Sequence, residues 1–501
     1  MQVDHGGQAT HDGDNPVLWQ NVRVPVNSER ASEAGLHEAC GVVGVVVPGR
    51  HATHLCYDAL YALQHRGQES AGMASAHDGQ ITVVKDNGLV SHVFTDATLR
   101  ALIGSEAIGH TRYSTSGSAN WTAAQPVFRS TPDATFALGH NGNLTNTHAL
   151  AERAGIRVTS MLSDSDLVAE LVARAVVEGV SLEDALVDVV RGVDGAYSMV
   201  VLNQSGTLFA LRDPHGFRPL CLGYFGTKDE PTGWMVASET PALDVVGATF
   251  LRDVEPGEMI VVTPEGYRSR RIVEPEQTRQ GLCIFEFVYF ARPDAYLMGR
   301  QVHSTRRRMG ELLAQQSSVD ADVVMGVPDS GVPAAEGFAK ASGIPFGYGL
   351  VKNRYIGRTF ISPDQNARAA SVRRKLNPLR EAIEGQRLVV VDDSIVRGTT
   401  TRALVQMLKD AGAREVHLRV SSPPFQWPCF FGIDTPTRDD LLAAHHTVSE
   451  MNEFIGSDSL EFLTLENLRR AIGVQDECCD ACLTGHYPAP VPVEIAAGVR
   501  W

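Results

Sequence analysis

No window of the chain reaches the roughly 18 consecutive apolar residues that a membrane-spanning helix needs, so a bilayer-embedded role has no support in the sequence. Basic residues are in deficit: 44 Lys and Arg against 59 Asp and Glu leave a formal charge of −15. That balance argues against a surface built to hold nucleic acid or anionic membrane, although local amides, a few cations and metal ions can still hold small anions. Cysteine is scarce, eight in 501 residues, which excludes a disulfide scaffold. Gly 46 and Pro 25 are too few for a collagenous or low-complexity chain. The N-terminus, MQVDHGGQATHDGDNPVLWQ, has neither the basic start nor the apolar stretch of a secretory signal. What remains is ordinary globular usage, 43% hydrophobic against 21% charged, on a length that fits two large domains or three smaller ones. The expectation is a soluble cytoplasmic protein with no nucleic-acid or membrane partner.

Residues 1 to about 37 are polar and without sustained period, which taken alone reads as a disordered tail. Order is predicted to begin at Gly41, where GVVGVVV reads as a buried strand. To about residue 265, strand-like stretches recur (ITVVKD, SMVVLN, GTLFALRD, GWMVASE, EMIVVTP) around a helix capped near Ser163 and Asp164. A charged, apolar-poor seam at 266–282 is expected to separate the halves. Beyond it the grammar becomes strand, loop, helix, first at ADVVMGV–PDSG–VPAAEGFAKA and again at RLVVV–DDSIVRGTT–TRALVQMLKDAGA. Two such units predict a parallel sheet with ligand loops at the carboxyl ends of its strands.

The segment VVVDDSIVRGTTT, Val389–Thr401, carries the strongest chemistry. Asp392 and Asp393 close a buried strand where carboxylates can hold ribose hydroxyls and a divalent ion. Ser394, Gly398, Thr399 and Thr400 supply hydroxyls and close backbone approach before a helix N-terminus, which suits a phosphate. No G-x-x-x-x-G-K-[ST] occurs, and no G-x-G-x-x-G follows a strand, so neither a Walker loop nor a dinucleotide fold is indicated. The segment resembles the phosphoribosyl-pyrophosphate (PRPP) loop of type I phosphoribosyltransferases. The likeness extends to Val327–Pro333, similar to that family's pyrophosphate-side loop, and to Lys352–Phe360, similar to its mobile loop. It implies PRPP contacts from Asp392, Asp393, Ser394, Arg397, Gly398, Thr399, Thr400, Lys352, Arg354 and Arg358. It also implies one Mg²⁺ per subunit on Ser330, Asp392 and Asp393.

In the first half, Cys40 stands just before the first strand. Arg112, in HTRYST, offers a guanidinium for a carboxylate. Asn141 and Gly142, in GHNGNL, offer an amide and a backbone N–H of the kind that form an oxyanion hole. Asp164, in SDSD, offers an anion for an α-ammonium. Singly these are weak signals. In this order they resemble the class II glutamine amidotransferases, N-terminal-nucleophile hydrolases with an αββα sandwich. That resemblance implies autocatalytic removal of residues 1–39 as a propeptide, leaving Cys40 with a free α-amine as base for its own thiol.

The two halves joined resemble the glutamine-dependent PRPP amidotransferases: an α+β amidotransferase domain over 40–265 fused to an α/β phosphoribosyltransferase domain over 266–470. The implied reaction moves ammonia from glutamine to C1 of PRPP and opens purine synthesis. Purine nucleotides as feedback inhibitors and a homotetramer are further implications. A sugar-phosphate synthase sharing the first half is disfavoured by the DDSIVRGTT loop, and a PRPP-sensing repressor by the absence of a basic DNA-binding segment.

Cys283, Cys429 and the terminal Cys478, Cys479 and Cys482 are left over, while Cys56 and Cys221 read as core. A C-x-x-C pair with two distant cysteines could supply four thiolates to a [4Fe–4S] cluster or to zinc, and composition does not choose between them. The resemblance points to one [4Fe–4S] cluster per subunit on Cys283, Cys429, Cys479 and Cys482, with the tail 471–501 contributing ligands. Cys478 competes with Cys479 for the register.

Overall fold

The computed structural model describes residues 40–113, 121–157, 163–353, 374–433, 435 and 437–492. From residue 41 to 271 the strands are β1 (Gly41–Val46), β2 (Ser70–His77), β3 (Gln80–Asn87), β4 (Glu106–Arg112), β5 (Val127–Ser130), β6 (Thr135–Leu144), β7 (Gly195–Asn203), β8 (Leu208–Arg212), β9 (Cys221–Gly226), β10 (Pro231–Ala237), β11 (Thr249–Asp253), β12 (Glu258–Thr263) and β13 (Gly266–Arg271). They build two antiparallel sheets, ordered β11-β9-β10-β1-β4-β2-β3 and β13-β12-β8-β7-β6-β5.

The period-two alternation of GVVGVV assigns each valine a layer. Val42 and Val46 enter the core between the sheets with Ile108, Val200, Leu208 and Val236. Val43 and Val45 face outward under the helix Ala52–Ala62, packing with Cys56 and Leu60. Cys221 lies in the same layer, so both cysteines read as core are core. The second sheet is covered by Leu167, Val168 and Val172 of the helix Asp164–Val177, and by Leu186 and Val190 of the helix Leu182–Arg191. Helix, sheet, sheet, helix is the αββα sandwich expected for this half.

The segment read as an interdomain seam departs from expectation, because its first six residues are β13, an edge strand of the second sheet. Its charges are satisfied by partners remote in sequence. Arg268 and Arg270 pair with Glu183, and Arg270 also with Asp184, on the helix beside it. A charged edge strand lacks the apolar alternation by which strands are read.

The second half adds β14 (Leu282–Cys283), β15 (Tyr296–Leu297), β16 (Arg300–Gln301), β17 (Val323–Gly326), β18 (Leu350–Lys352), β19 (Leu376–Pro378), β20 (Arg387–Asp392), β21 (Glu415–Val420), β22 (Ser459–Phe462) and β23 (Cys478–Cys479). β17-β20-β21-β22 form a parallel sheet, extended beyond β17 by a parallel bridge between Val324 and Phe346. After β17 the chain adds on one side and then crosses to continue from β20 on the other, so the strand order reverses between β17 and β20. A crevice for ligand opens at such a point. β18 and β19 pair as a separate antiparallel ribbon.

Candidate active sites

Cys40 is buried immediately ahead of β1, whose first residue, Gly41, pairs with Thr111 of β4. Its Sγ donates to the carbonyl of Tyr113 at 3.5 Å, and its own carbonyl accepts from Arg66 Nε at 3.1 Å. Burial raises the Cys40 thiol above its ordinary range; the Tyr113 hydrogen bond and the Arg112 guanidinium oppose that rise, while Asp164 adds to it. Cys40, Arg112 and Asp164 thus share one electrostatic neighbourhood.

β6 packs against β1 and β4 and carries Asn141 and Gly142. Asn141 is 1% exposed, yet among the described residues neither its Oδ1 nor its Nδ2 has a hydrogen-bond partner. Leaving a buried polar group unpaired costs about 1–3 kcal/mol, so this amide is set for a ligand rather than for the fold. Gly142 has φ +148°, and a Cβ there would lie 2.0 Å from the Ala196 carbonyl oxygen. No larger residue fits this backbone. Asp164 opens the helix Asp164–Val177, capped by Ser163. Its carboxylate accepts from the amides of Ser165 (2.7 Å) and Leu144 (3.2 Å) and lies 3.7 Å from His140 Nδ1. Burial raises this carboxyl, but the His140 ring and the two amides outweigh it and hold it below the usual carboxylate range.

Sequence reasoning passed over the supporting residues. His110 Nε2 donates to the His140 carbonyl at 2.9 Å, Gln125 Oε1 accepts from the His140 amide at 2.7 Å, and Ser165 Oγ lies 3.0 Å from His140 Nδ1. His110 and His140 stood inside the motifs quoted for Arg112 and Asn141, so adjacency was the available signal. Ser114 and Thr115 of the HTRYST run lie outside the described residues.

At the crevice of the parallel sheet, Asp392 ends β20 and Asp393 begins the loop after it. The Asp393 carboxylate accepts from Ser330 Oγ, on the loop after β17, and from Ser394 Oγ at 2.6 Å. Burial lifts both carboxyls, the charge of Asp393 lifts Asp392 further, and the two serine hydroxyls partly offset the rise at Asp393. A buried and a half-buried carboxyl side by side, each favouring the neutral form on its own, are chemically suited to a hard divalent cation that would neutralise them once ionised. Gly398 has φ +71° and caps the helix Thr399–Asp410, leaving Thr399 and Thr400 exposed at its start. A Cβ on Gly398 would lie 2.5 Å from Leu442 Cδ2. Lys352, at the end of β18, reaches across the crevice to Asp329 at 2.6 Å, and Arg397 pairs with Asp440 at 3.5 Å. Arg354 and Arg358 lie outside the described residues.

Between the halves, Cys283, Cys429, Cys479 and Cys482 line one cavity, closed by Phe217, Phe431, Ile433 and Tyr487 and flanked by Arg218. β14 and β23 pair in parallel with Cys283 opposite Cys479 and Leu282 opposite Cys478. Strand period two puts Cys479 on the Cys283 face, and Cys478 is not among the lining residues. Burial pushes the Cys283 thiol up to about 12, with Arg218 opposing the rise. Among the described residues no group of three or more His, Cys, Asp or Glu is arranged to hold a single metal ion. A cluster differs in giving each thiolate its own iron, so its ligands stand apart around a cavity. No helix among the described residues is long and apolar enough to cross a membrane.

A family model for a glutamine amidotransferase domain matches residues 110–245, and one for a phosphoribosyl transferase domain matches 303–422. The chain is 50% identical to an amidophosphoribosyltransferase of Mycobacterium tuberculosis over 96% of its own length and 91% of that protein. It is 45% identical to one from Bacillus subtilis, covering 91% and 95% of the two chains. A solved B. subtilis glutamine PRPP amidotransferase, complexed with ADP and GMP, superposes with TM-score 0.83 at 43% identity, over 90% of this chain and 98% of that one. A structure described as the allosteric regulatory enzyme of purine biosynthesis matches with TM-score 0.83 at 44% identity, over 90% and 97% of the two chains.

Proposed function

From the premise that the chain belongs to the amidophosphoribosyltransferase family, we propose how its residues divide the work. The enzyme hydrolyses glutamine and transfers the ammonia to C1 of PRPP, giving 5-phosphoribosylamine, glutamate and pyrophosphate, the first step of de novo purine synthesis.

In the sandwich half, cleavage after Ala39 removes residues 1–39 and frees the Cys40 α-amine. That amine takes the thiol proton, and the thiolate attacks the glutamine amide carbon. The developing oxyanion is held by the Asn141 amide N–H and the Gly142 backbone N–H. Arg112 receives the substrate α-carboxylate and Asp164 its α-ammonium, which fixes the amide over Cys40. Ammonia leaves, and water then releases glutamate. The observation that carries this reading is the buried Asn141 amide, with neither polar atom paired among the described residues.

In the second half, Ser394, Gly398, Thr399 and Thr400 hold the PRPP 5′-phosphate at a helix N-terminus. Asp392 and Asp393 face the ribose, with Lys352, Arg354, Arg358 and Arg397 gathering the pyrophosphate. Asp392, Asp393 and Ser330 would hold one Mg²⁺, which supplies charge neutralisation for the departing pyrophosphate. Cys283, Cys429, Cys479 and Cys482 would hold one [4Fe–4S] cluster that staples the tail to the body. The protein works in the cytoplasm as a homotetramer, and purine nucleotides inhibit it, a reading supported by the ADP and GMP of the B. subtilis structure.

The test is glutamate release from glutamine by anaerobically purified protein, with and without PRPP and Mg²⁺. Strong stimulation by PRPP supports both sites and their coupling; glutaminase indifferent to PRPP overturns the assignment of the second site.

A further inference from the structure

Glu286 lies in the second half, three residues after Cys283, and it is fully buried. Its carboxylate is shared by two buried guanidiniums of the sandwich half. Arg66 donates through Nη2 to Oε1 at 2.7 Å and through Nη1 to Oε2 at 3.0 Å, and Arg218 Nη1 lies 3.4 Å from Oε1. Each arginine then spends a remaining donor on a backbone carbonyl next to the glutaminase chemistry. Arg66 Nε holds the carbonyl of Cys40 at 3.1 Å. Arg218 holds the carbonyl of Phe431 through Nε and Nη2, at 2.9 and 2.7 Å. The segment Phe430–Gly432 presses on the oxyanion strand: Asn143 Nδ2 donates to the Phe430 carbonyl at 2.8 Å, and a Cβ on Gly432 would lie 3.1 Å from Gly142 Cα. Arg66 also pairs with buried Glu239, which in turn accepts from the amide of Arg292 at 2.9 Å.

Burying such charges together is costly unless their geometry is fixed. Here the fixed geometry terminates on the backbone of the nucleophile and on the backbone beside the oxyanion donors. Resting on the reading of Cys40 as nucleophile and Gly142 as oxyanion donor, we propose that Glu286 is a positioning residue for glutamine hydrolysis. Donated from the other half of the chain, it sets the spacing between Cys40 and Gly142 through Arg66 and Arg218. The glutaminase is therefore complete only when the second half is seated. Ammonia-dependent amination of PRPP uses neither carbonyl and does not depend on Glu286.

The test compares E286Q and R218K with the parent chain in glutamine-dependent and ammonia-dependent synthesis, with C40A as control. Gln keeps the volume of Glu but turns an N–H₂ toward the arginines; Lys keeps the charge of Arg but cannot hold the Phe431 carbonyl twice. The expected result for each is a fall of roughly tenfold in glutamine-dependent kcat, with KM for glutamine within twofold and ammonia-dependent activity within twofold. Alkylation of Cys40 should slow in E286Q, and E286D should recover part of the loss. Equal losses in both activities, no loss in either, or failure of both variants to fold would overturn the proposal by making the network merely structural. Glutamine-dependent activity surviving in C40A would remove the nucleophile reading and this proposal with it. A normal loss in C40A beside an unaffected E286Q removes this proposal alone.

Discussion

Cys40 and Asn141 carry separable parts of one reaction, and substitutions should separate them. C40A is expected to abolish glutamine-dependent synthesis and leave ammonia-dependent synthesis intact, because the PRPP crevice is built from other strands. N141A removes one oxyanion donor and should lower glutamine-dependent kcat about 10²–10³-fold, with the ammonia reaction unchanged. Since the Asn141 side chain makes no hydrogen bond to any described residue, the Tm of N141A should hold or rise. His110 makes a different prediction. Burial pushes its ring down to about 3, and Nε2 donates to the His140 carbonyl, so it is neutral when folded. The unfolded ring titrates near 6.5. Its folded value is depressed, so its contribution is fully present above about pH 6.5 and is lost as pH falls toward 3, with a slope of up to about 1.4 kcal/mol per pH unit. H110Q should flatten the denaturant-measured stability curve across that window; an unchanged slope would assign the acid sensitivity elsewhere.

Among elements, β6 is the one where a backbone demand and a chemical demand meet. G142A puts a methyl 2.0 Å from the Ala196 carbonyl at a φ of +148°. The strand must shift, taking both proposed oxyanion donors with it. Glutamine-dependent activity should fall by at least the factor seen for N141A, with a lowered Tm, while ammonia-dependent activity persists. Elements of this kind were legible in sequence because their information is local. The alternation in GVVGVV names both faces of β1, and the acids and glycine of DDSIVRGTT mark the end of β20. What stayed hidden is information held between distant segments. β13 reads as a charged seam because its arginines are balanced by Glu183 and Asp184, more than eighty residues earlier. Arg66, Glu286 and Arg218 show no spacing that predicts their meeting, and the Cys478 or Cys479 ambiguity is a matter of register against β14, which no single strand encodes.

For the molecule as a whole, the cavity lined by four cysteines is where its parts converge. Cys283 comes from the entry to the second half, Cys429 from the segment against Gly142, and Cys479 and Cys482 from the tail. A cluster there would close very long loops, which restrains the unfolded chain far more than a local site would, and binding free energy at such a site becomes folding free energy. Loss of iron should therefore lower Tm and loosen the tail together, seen as bleaching, earlier melting and proteolytic cleavage beyond residue 471 on exposure to oxygen. The register makes this sharper. C479S removes a thiol facing Cys283 and should lose iron and stability, whereas C478S removes one off the cavity face and should keep both. Equal iron content in the two variants would overturn the register argument. Full iron loss with unchanged melting would overturn the structural role itself, because the tail would then be held by contacts that need no metal, among them β14–β23 pairing, the packing of Tyr487 on Phe430 and Phe431, the Arg469–Asp480 pair and the Tyr487 hydroxyl on the Pro428 carbonyl.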